Sequence, residues 1–562
     1  MIIFEQCKGL ADSLWSGIKG SVSTMVGLDA NTTPGLLQVR QKLTKSSGAT
    51  IDSFPKWAIS ASDGSQLWFS STSGKIWLKT SADVWSLVYT TTPAAGAAGC
   101  LGCIEHDGYI YWATQSRLHR KTTTDISDWT GSGGITEDWG TFTNANASFH
   151  PIFKRGIKVF IGDGNLVASI TGIEGAHAFT ASALDIRKPH IVKCLGEIDI
   201  DLLIGTYVND NVNDVTVYRW DTVSTSWSTL DTVPENGINA FIKDDNDLFV
   251  QAGQFGKIYF YDGQKLVPFK RIPGTWSPTS YGEINQGSVA SLLSVPVFGF
   301  SNGSGNPCLE GIYSFGSYSR NYNKIMDLSW IISPKQTTNV SIGAILVSGA
   351  DMYVAFTYSN VVTMTIAAPC VVTLTGHNQP NGTAIMFTTT GALPTGLTAS
   401  TYYYIRSATD DTFNLYDTAA HAIAGGATGR VTTTGSQSGV HTAANYGVDK
   451  LDYTAKYDGA YLETMMLDFG EARNVLKTIL KAGCSYATLP TSTAITFSIK
   501  KYNGDSWDDL TSVTDSKLRQ VVAETTVPEV ANAQIKVAFT ISANTAPTIE
   551  NLFANNNLKA RK

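Results

Sequence analysis

Charge is scarce in this chain: Asp, Glu, Lys and Arg make up 16% of its 562 residues, and the net charge is only −6. Lys and Arg stand singly, so no basic stripe is available to neutralise the phosphates of a nucleic acid, and nucleic-acid binding is not the expected activity. Long apolar runs are lacking as well. No segment approaches the roughly 20 apolar residues of a membrane-crossing helix. The opening MIIFEQC carries Glu5 in its short apolar start, with no basic stretch before an apolar core, so it does not read as a secretory signal. The expected compartment of folding is a cytoplasm.

Cysteine is thin too. Seven residues, Cys7, Cys100, Cys103, Cys194, Cys308, Cys370 and Cys484, are an odd number spread over a long chain, which argues against a disulfide framework and predicts free thiols. Cys100 and Cys103 form one C-x-x-C, but no second pair or nearby His couple completes four zinc ligands, so both read as buried strand cysteines. The eight histidines, His106, His119, His150, His177, His190, His377, His421 and His441, show neither H-x-x-x-H nor H-E-x-x-H spacing. A phosphate loop of the G-x-x-x-x-G-K-[ST] type and a G-x-S-x-G elbow are also missing. No metal or cofactor is expected.

What the chain does have is 43% apolar content, 51 Gly, 23 Tyr and 23 Phe, with frequent Thr and Ser. That mixture favours strands and tight turns over helices, and the length predicts three or four folding units. Residues 1–50 show little strand alternation; Leu10, Leu14, Ile18 and Val22 recur at helical spacing, which predicts a short helix or a docking arm. Beyond them, paired runs recur. QLWFSS around Trp68, YIYWAT (Tyr111), KVFIGD (Phe160), DLLIGT (Leu203), DLFVQA (Phe249), PVFGFS (Val297) and DMYVAF (Tyr353) follow one another at near-even intervals. Each is followed by a second apolar run, and several by a later tryptophan such as Trp85, Trp129 or Trp227, expected to pack between repeats.

A period of roughly 40 to 50 residues in an all-strand sequence is that of a four-stranded propeller blade. Seven anchors predict a seven-bladed, propeller-like body over 51–360 plus 445–458. The seventh hairpin is interrupted: DMYVAF finds its partner only at YGVDKLDY, so 361–444 is expected to be an inserted small β-module. After 459 the strands lengthen, and alternation at Ile495, Phe497, Ile499 and at Ile535, Val537, Phe539, Ile541 predicts an antiparallel β-sandwich over 459–562.

Three stretches carry a family resemblance. The insertion has Val372 to Thr375, then His377, Asn381-Gly382, Phe387 through Leu397 (FTTTGALPTGL), Tyr402 to Ile405, Asp411 to Leu415, and Gly435-Ser436-Gln437-Ser438-Gly439 before His441-Thr442. Across nearly the whole insertion this resembles a module of bacteriophage virion proteins, found in tail, tail-tip and fibre components. Tyr461 to Ala472 with Phe497 to Trp507 looks like the sandwich that closes many phage tail and neck proteins. Thr32 to Leu43 is similar to the start of propeller-bearing tail proteins, although it lacks their Asn.

The resemblance implies a structural tail component, whether ring, nozzle, hub or tail-tip, acting through protein–protein assembly in the virion. Its partners would be other tail proteins and further copies of itself in a ring. The alternative is a tail protein that binds a host receptor or glycan.

Enzymatic chemistry finds little footing. Arg271-Ile272-Pro273 resembles the sialidase arginine motif, yet it falls late in the repeat series and no Ser-x-Asp-x-Gly-x-Thr-Trp turn follows; Ser81 to Trp85 is only a degenerate version of that turn. Glycoside hydrolysis requires two carboxyl groups about 5 to 10 Å apart. Glu235, Glu283, Glu310 and Asp327 are the acids near predicted loops, and they read as solvated turn residues. The Asp244-Asp245-Asn246-Asp247 cluster lacks the Gly and distal Glu of a Ca²⁺ loop and reads as a tight turn. The expectation is a protein without catalytic residues.

Overall fold

A computed structural model of the chain shows a body made almost wholly of strands. It describes the chain apart from residues 1 and 559–562 and a set of internal stretches, the longest being 5–21, 273–281, 303–310, 318–325, 333–339 and 468–476. Leu10, Leu14 and Ile18, with Cys7, Cys308, Glu310, Pro273 and His377, lie outside the described residues.

Six successive four-stranded antiparallel sheets occupy 55–90, 102–141, 152–185, 191–233, 238–271 and 282–332, each a meander in chain order. The first strand of each sheet runs beside the first strand of the next, and Val340–Ser348 of a seventh sheet returns to Pro55–Ser60 of the first. The result is a closed seven-bladed ring. All seven anchors sit on the second strand of their blade and are buried, from 0% exposure at Trp68, Tyr111, Leu203 and Val297 to 3% at Tyr353. That position explains their appearance. A second strand is covered on both faces by neighbouring blades, so it reads as an unbroken apolar run, as in Gln66–Ser70 and Asp247–Ala252. The outermost strands alternate instead, as in Ala178–Asp185. Trp129 stands between blades 1 and 2 against Tyr89 and Trp112, and Trp227 packs on Tyr218 in the cluster joining blades 3 and 4.

The seventh blade is assembled from three distant segments: Val340–Ser348 with Asp351–Met364, then His441–Lys456 and, as its outer strand, Gln41–Lys45. Leu43 pairs with Leu451 and is buried in the blade's core. The described part of 1–50 is therefore not an arm. Its other strands join the terminal sandwich, where Val22–Val26 pairs with Tyr461–Thr464 and Leu37–Val39 with Thr548–Leu558. The sandwich consists of two sheets, one of five strands and one of six, that bury Ile495, Phe497, Ile499, Ile535, Val537 and Phe539. Both ends of the chain are woven into it.

The insertion does not begin at a break. Asp351–Met364 and His441–Lys456 run straight from the blade into the module as one ladder, Tyr353↔Lys450 through Val362↔His441. Four short strands then connect one of these strands to the other, so that six strands close on themselves as a small barrel. Val362, Val372, Ile385, Phe387, Ile405, Phe413 and Leu415 fill it. The helix Ala419–Ala424, capped by Thr418, lies on its outside, and the Tyr402 hydroxyl donates to the Ile51 carbonyl of the body.

Candidate functional site at the propeller channel

The first strands of the blades enclose the axis of the ring, and their side chains bridge it. Lys193 on blade 4 donates to Asn239 Oδ1 on blade 5 at 2.6 Å and to Glu283 Oε2 on blade 6 at 2.8 Å. Gln286 of blade 6 donates through Nε2 to the Leu195 carbonyl (2.5 Å) and accepts the Leu195 N–H (3.1 Å). The strand Gly282–Leu292 slips register between Ile284 and Val289, and the extra residues push inward. A Cβ at Gly287 would collide with the Lys56 carbonyl of blade 1, which is why glycine stands there. What remains is a narrow chamber of about 210 Å³ lined by Lys56, Trp57, Leu101, Lys193, Asn239 and Glu283.

Beside this chamber, on the face carrying the connections between blades, lies a wider open cleft of about 700 Å³. Its walls are the blade 2–3 connection (143–149), the turn Gly164-Asn165, the blade 3–4 connection (188–191) and Tyr207. Phe149 and Tyr207 meet edge to face at 5.9 Å, with the Lys193 ammonium 5.2 and 5.5 Å from their ring centres. These two rings join cleft to channel.

The connection 143–150 is held rigidly. The buried Asp163 carboxylate accepts the N–H groups of Thr143 (2.8 Å) and Asn144 (3.2 Å), and Asn144 Nδ2 donates to the Asp163 carbonyl at 2.6 Å. Burial pushes the Asp163 carboxyl up and the His150 imidazole down. His150 stacks on Phe142 and lies 2.7 Å from the Gly162 carbonyl.

Of the acids singled out in the sequence near predicted loops, the two whose side chains are described each have a lysine partner of their own. Glu235 is buried and bound to Lys257 (2.5 Å) and Tyr259 (2.9 Å), whereas Glu283 belongs to the channel bridge. Asp327 lies on Met326–Ile332, whose side chains are outside the described set. Asp244 and Asp247 face each other across a hairpin end, with Asp245 and Asn246 outside the described residues. Asp83 pairs with Lys79 (2.5 Å) in the turn before Trp85. Arg271 sits on a blade's outer strand opposite Lys257. Cys100 and Cys103 are buried free thiols, and burial drives Cys103 upward.

The histidines serve locally. His119 accepts the Asp138 N–H on Nδ1 and reaches Thr114 with Nε2 at 2.9 Å; His190 meets Thr206 and Tyr218. His177 is the exception in reach, joining Tyr111 Oη (2.5 Å) to Asp107 Oδ2 (3.1 Å) and stacking on His106. Tyr111 is fully buried, and burial raises it to about 12, so this chain of bonds ties blade 2 to the following blade. Among the described residues no group of three or more His, Cys, Asp or Glu is placed to hold a metal ion. No described helix is long and apolar enough to cross a membrane.

The cleft residues Asn144, Asn146, Ser148, Phe149, Asn165 and Tyr207 had no signature in the sequence. They come from one connection, a hairpin turn and a strand end, and only the Asn-rich TNANASFH between blades 2 and 3 marks the spot.

The chain matches no protein family and no curated protein. Solved structures align with it only at low identity and low TM-score. The extracellular domain of a hybrid two-component system from B. thetaiotaomicron aligns at 11% identity and TM-score 0.39 over 67% of this chain, which spans about half (46%) of that protein's length. Virginiamycin B lyase from Staphylococcus aureus aligns at 14% identity and TM-score 0.39, over 56% of this chain and 95% of the lyase. An exo-β-1,3-galactanase from Phanerochaete chrysosporium aligns at 9% identity and TM-score 0.25, over 72% and 95%. No activity is carried over from any of them.

Proposed function

We propose that this chain is a structural component of a bacteriophage tail, acting in the virion by packing against other tail proteins and further copies of itself. The observation that supports this reading best is the barrel. Its strands carry the sequence pattern similar to that of phage virion modules, and they continue two strands of blade 7 without a joint, so the body holds the module out at a fixed angle. A rigid extension of this kind suits assembly, where a contact surface must be presented in a defined direction.

The channel supports the same reading. Its polar groups are engaged with one another through Lys193, Asn239, Glu283 and Gln286. The centre of the ring thus serves as a brace. Light scattering and electron microscopy of the purified chain test the proposal: closed rings of several copies are expected. A particle that stays monomeric at high concentration, together with its absence from purified virions by mass spectrometry, overturns it. The rival reading, recognition of a host surface, draws its support from the cleft beside the channel.

A further inference from the structure

We infer that the cleft between the blade 2–3 and blade 3–4 connections is a saccharide-binding site, with a preference for sugars bearing an acidic group. At about 700 Å³ the cleft lies within the range of about 300–1,000 Å³ usual for ligand sites. Its composition fits a pyranose. A sugar ring offers a face of C–H bonds that packs on an aromatic ring, and an edge of hydroxyls that needs donors and acceptors. Phe149 and Tyr207 supply two half-buried rings on one side. The exposed Asn146 and Ser148, with the half-buried Asn144 and Asn165, supply amides and a hydroxyl around them.

Of these, Asn144 and Asn165 spend their Nδ2 groups on Asp163 and Asp185, which fixes their carbonyl oxygens in place as acceptors. The loop that bears most of the site is locked by Asp163 and His150, so little conformational freedom is lost when a ligand binds.

The charge preference follows from the wall. Among the described residues no carboxylate lines the cleft, and the exposed Lys188 does; Lys193 beneath the two rings is already paired with Glu283 and adds no free charge. The acidic group of a uronic acid, sialic acid or phosphorylated sugar would pair there with the Lys188 ammonium. This site is independent of the assembly reading, since a tail component can carry it or lack it.

A glycan array holding neutral oligosaccharides and ones bearing uronic or sialic acid, probed with the full chain, is the test, followed by calorimetric titration of the strongest binder. Tyr207→Ala is expected to weaken binding by about tenfold or more, and Lys188→Gln to bring acidic and neutral sugars to the same affinity. Asn146→Trp, at an exposed loop position that leaves the fold alone, should block the cleft and abolish binding, while Val223→Ala on an exposed turn of blade 4 should change nothing. No binding anywhere on the array overturns the inference. So does binding that survives Asn146→Trp.

Discussion

Blades 1 to 6 and blade 7 have the same four strands and are made in opposite ways. Each of the first six is a continuous meander, closed by hairpins between neighbouring strands, such as 102–141 or 152–185. The seventh draws its strands from 340–364, 441–456 and 41–45, and its outer ladder runs Leu43↔Leu451 and Lys42↔Asp452. A local meander closes short loops, whereas the seventh blade closes a loop that takes in most of the chain. The entropy of that closure grows only slowly with length, so a few ladder bonds and one buried leucine suffice to hold it. The difference locates the weak point of the ring: the inner strands close the circle where Val340–Ser348 meets Pro55–Ser60, but blade 7 is completed only when Gln41–Lys45 reaches His441–Lys456.

The largest effect should come from breaking that meeting point. Deleting residues 1–46 removes the outer strand of blade 7 and the sandwich strands Val22–Val26 and Leu37–Val39 together. Calorimetry is expected to show the melting of blade 7 and the sandwich shifted down by well over 5 °C. A truncated chain melting within about 5 °C of the intact one would show that closure is not concentrated there. Leu43→Ala alone should cost about 2–5 kcal/mol in denaturant unfolding.

Within the contiguous blades the counterpart is Trp112, wholly buried between blades 1 and 2, where its Nε1 donates to Thr91 at 3.1 Å. Trp112→Ala is expected to cost about 3–5 kcal/mol. Hydrogen exchange should separate the two variants. Leu43→Ala should open blade 7 and the ends of the chain first, and Trp112→Ala should open blades 1 and 2.

The same contrast governs what could be seen in the sequence. Second strands buried on both faces, such as YIYWAT and DLFVQA, announce themselves as apolar runs at a fixed period, and the sandwich strands at Ile495 and Ile535 do so by alternation. Gln41–Lys45 does neither. With Leu43 as its buried apolar side chain, QKLTK has no pattern that distinguishes an edge strand from a polar linker, and its partner lies near the opposite end of the chain. First strands were equally faint because one side faces the channel and carries Lys193, Asn239 or Gln286. The cleft was invisible for a related reason: its residues share a place only after separate connections have been brought to one face.

Acid offers a third way to set the regions apart. Burial holds His119 down at about 4, against 6.5 for the free side chain, and its two nitrogens are bonded as the neutral ring requires. Between pH 6.5 and 4 the unfolded chain therefore takes up a proton that the folded chain refuses, so stability rises with pH across that window and is lost as pH falls. The shift is worth about 3 kcal/mol at most. His106, also lowered chiefly by burial, acts in the same direction from blade 2, whereas at the start of blade 3 the lowered His150 is opposed by the Asp163 carboxyl, which burial pushes up. Melting curves followed by hydrogen exchange from neutral pH down to that of the folded His119 should show blade 2 losing protection before blade 7. His119→Gln should flatten part of the pH dependence, and a slope identical to the parent's would remove His119 from the account.

The smallest effect is expected where the sequence is interrupted longest. Tyr358 and Asn445 are paired on the ladder that leads into the barrel, so replacing 359–444 with Asn-Gly would close the hairpin directly by a two-residue turn. The barrel has its own core, and the ladder and the Tyr402–Ile51 hydrogen bond tie it to the body. Excision should therefore shift the melting temperature by no more than about 3 °C, roughly 1 kcal/mol. The whole insertion would then matter less to stability than one apolar side chain at Leu43. If excision instead costs more than Leu43→Ala, the barrel is part of the closure, and the seventh blade owes its hold to the module that interrupts it as much as to the strand that completes it.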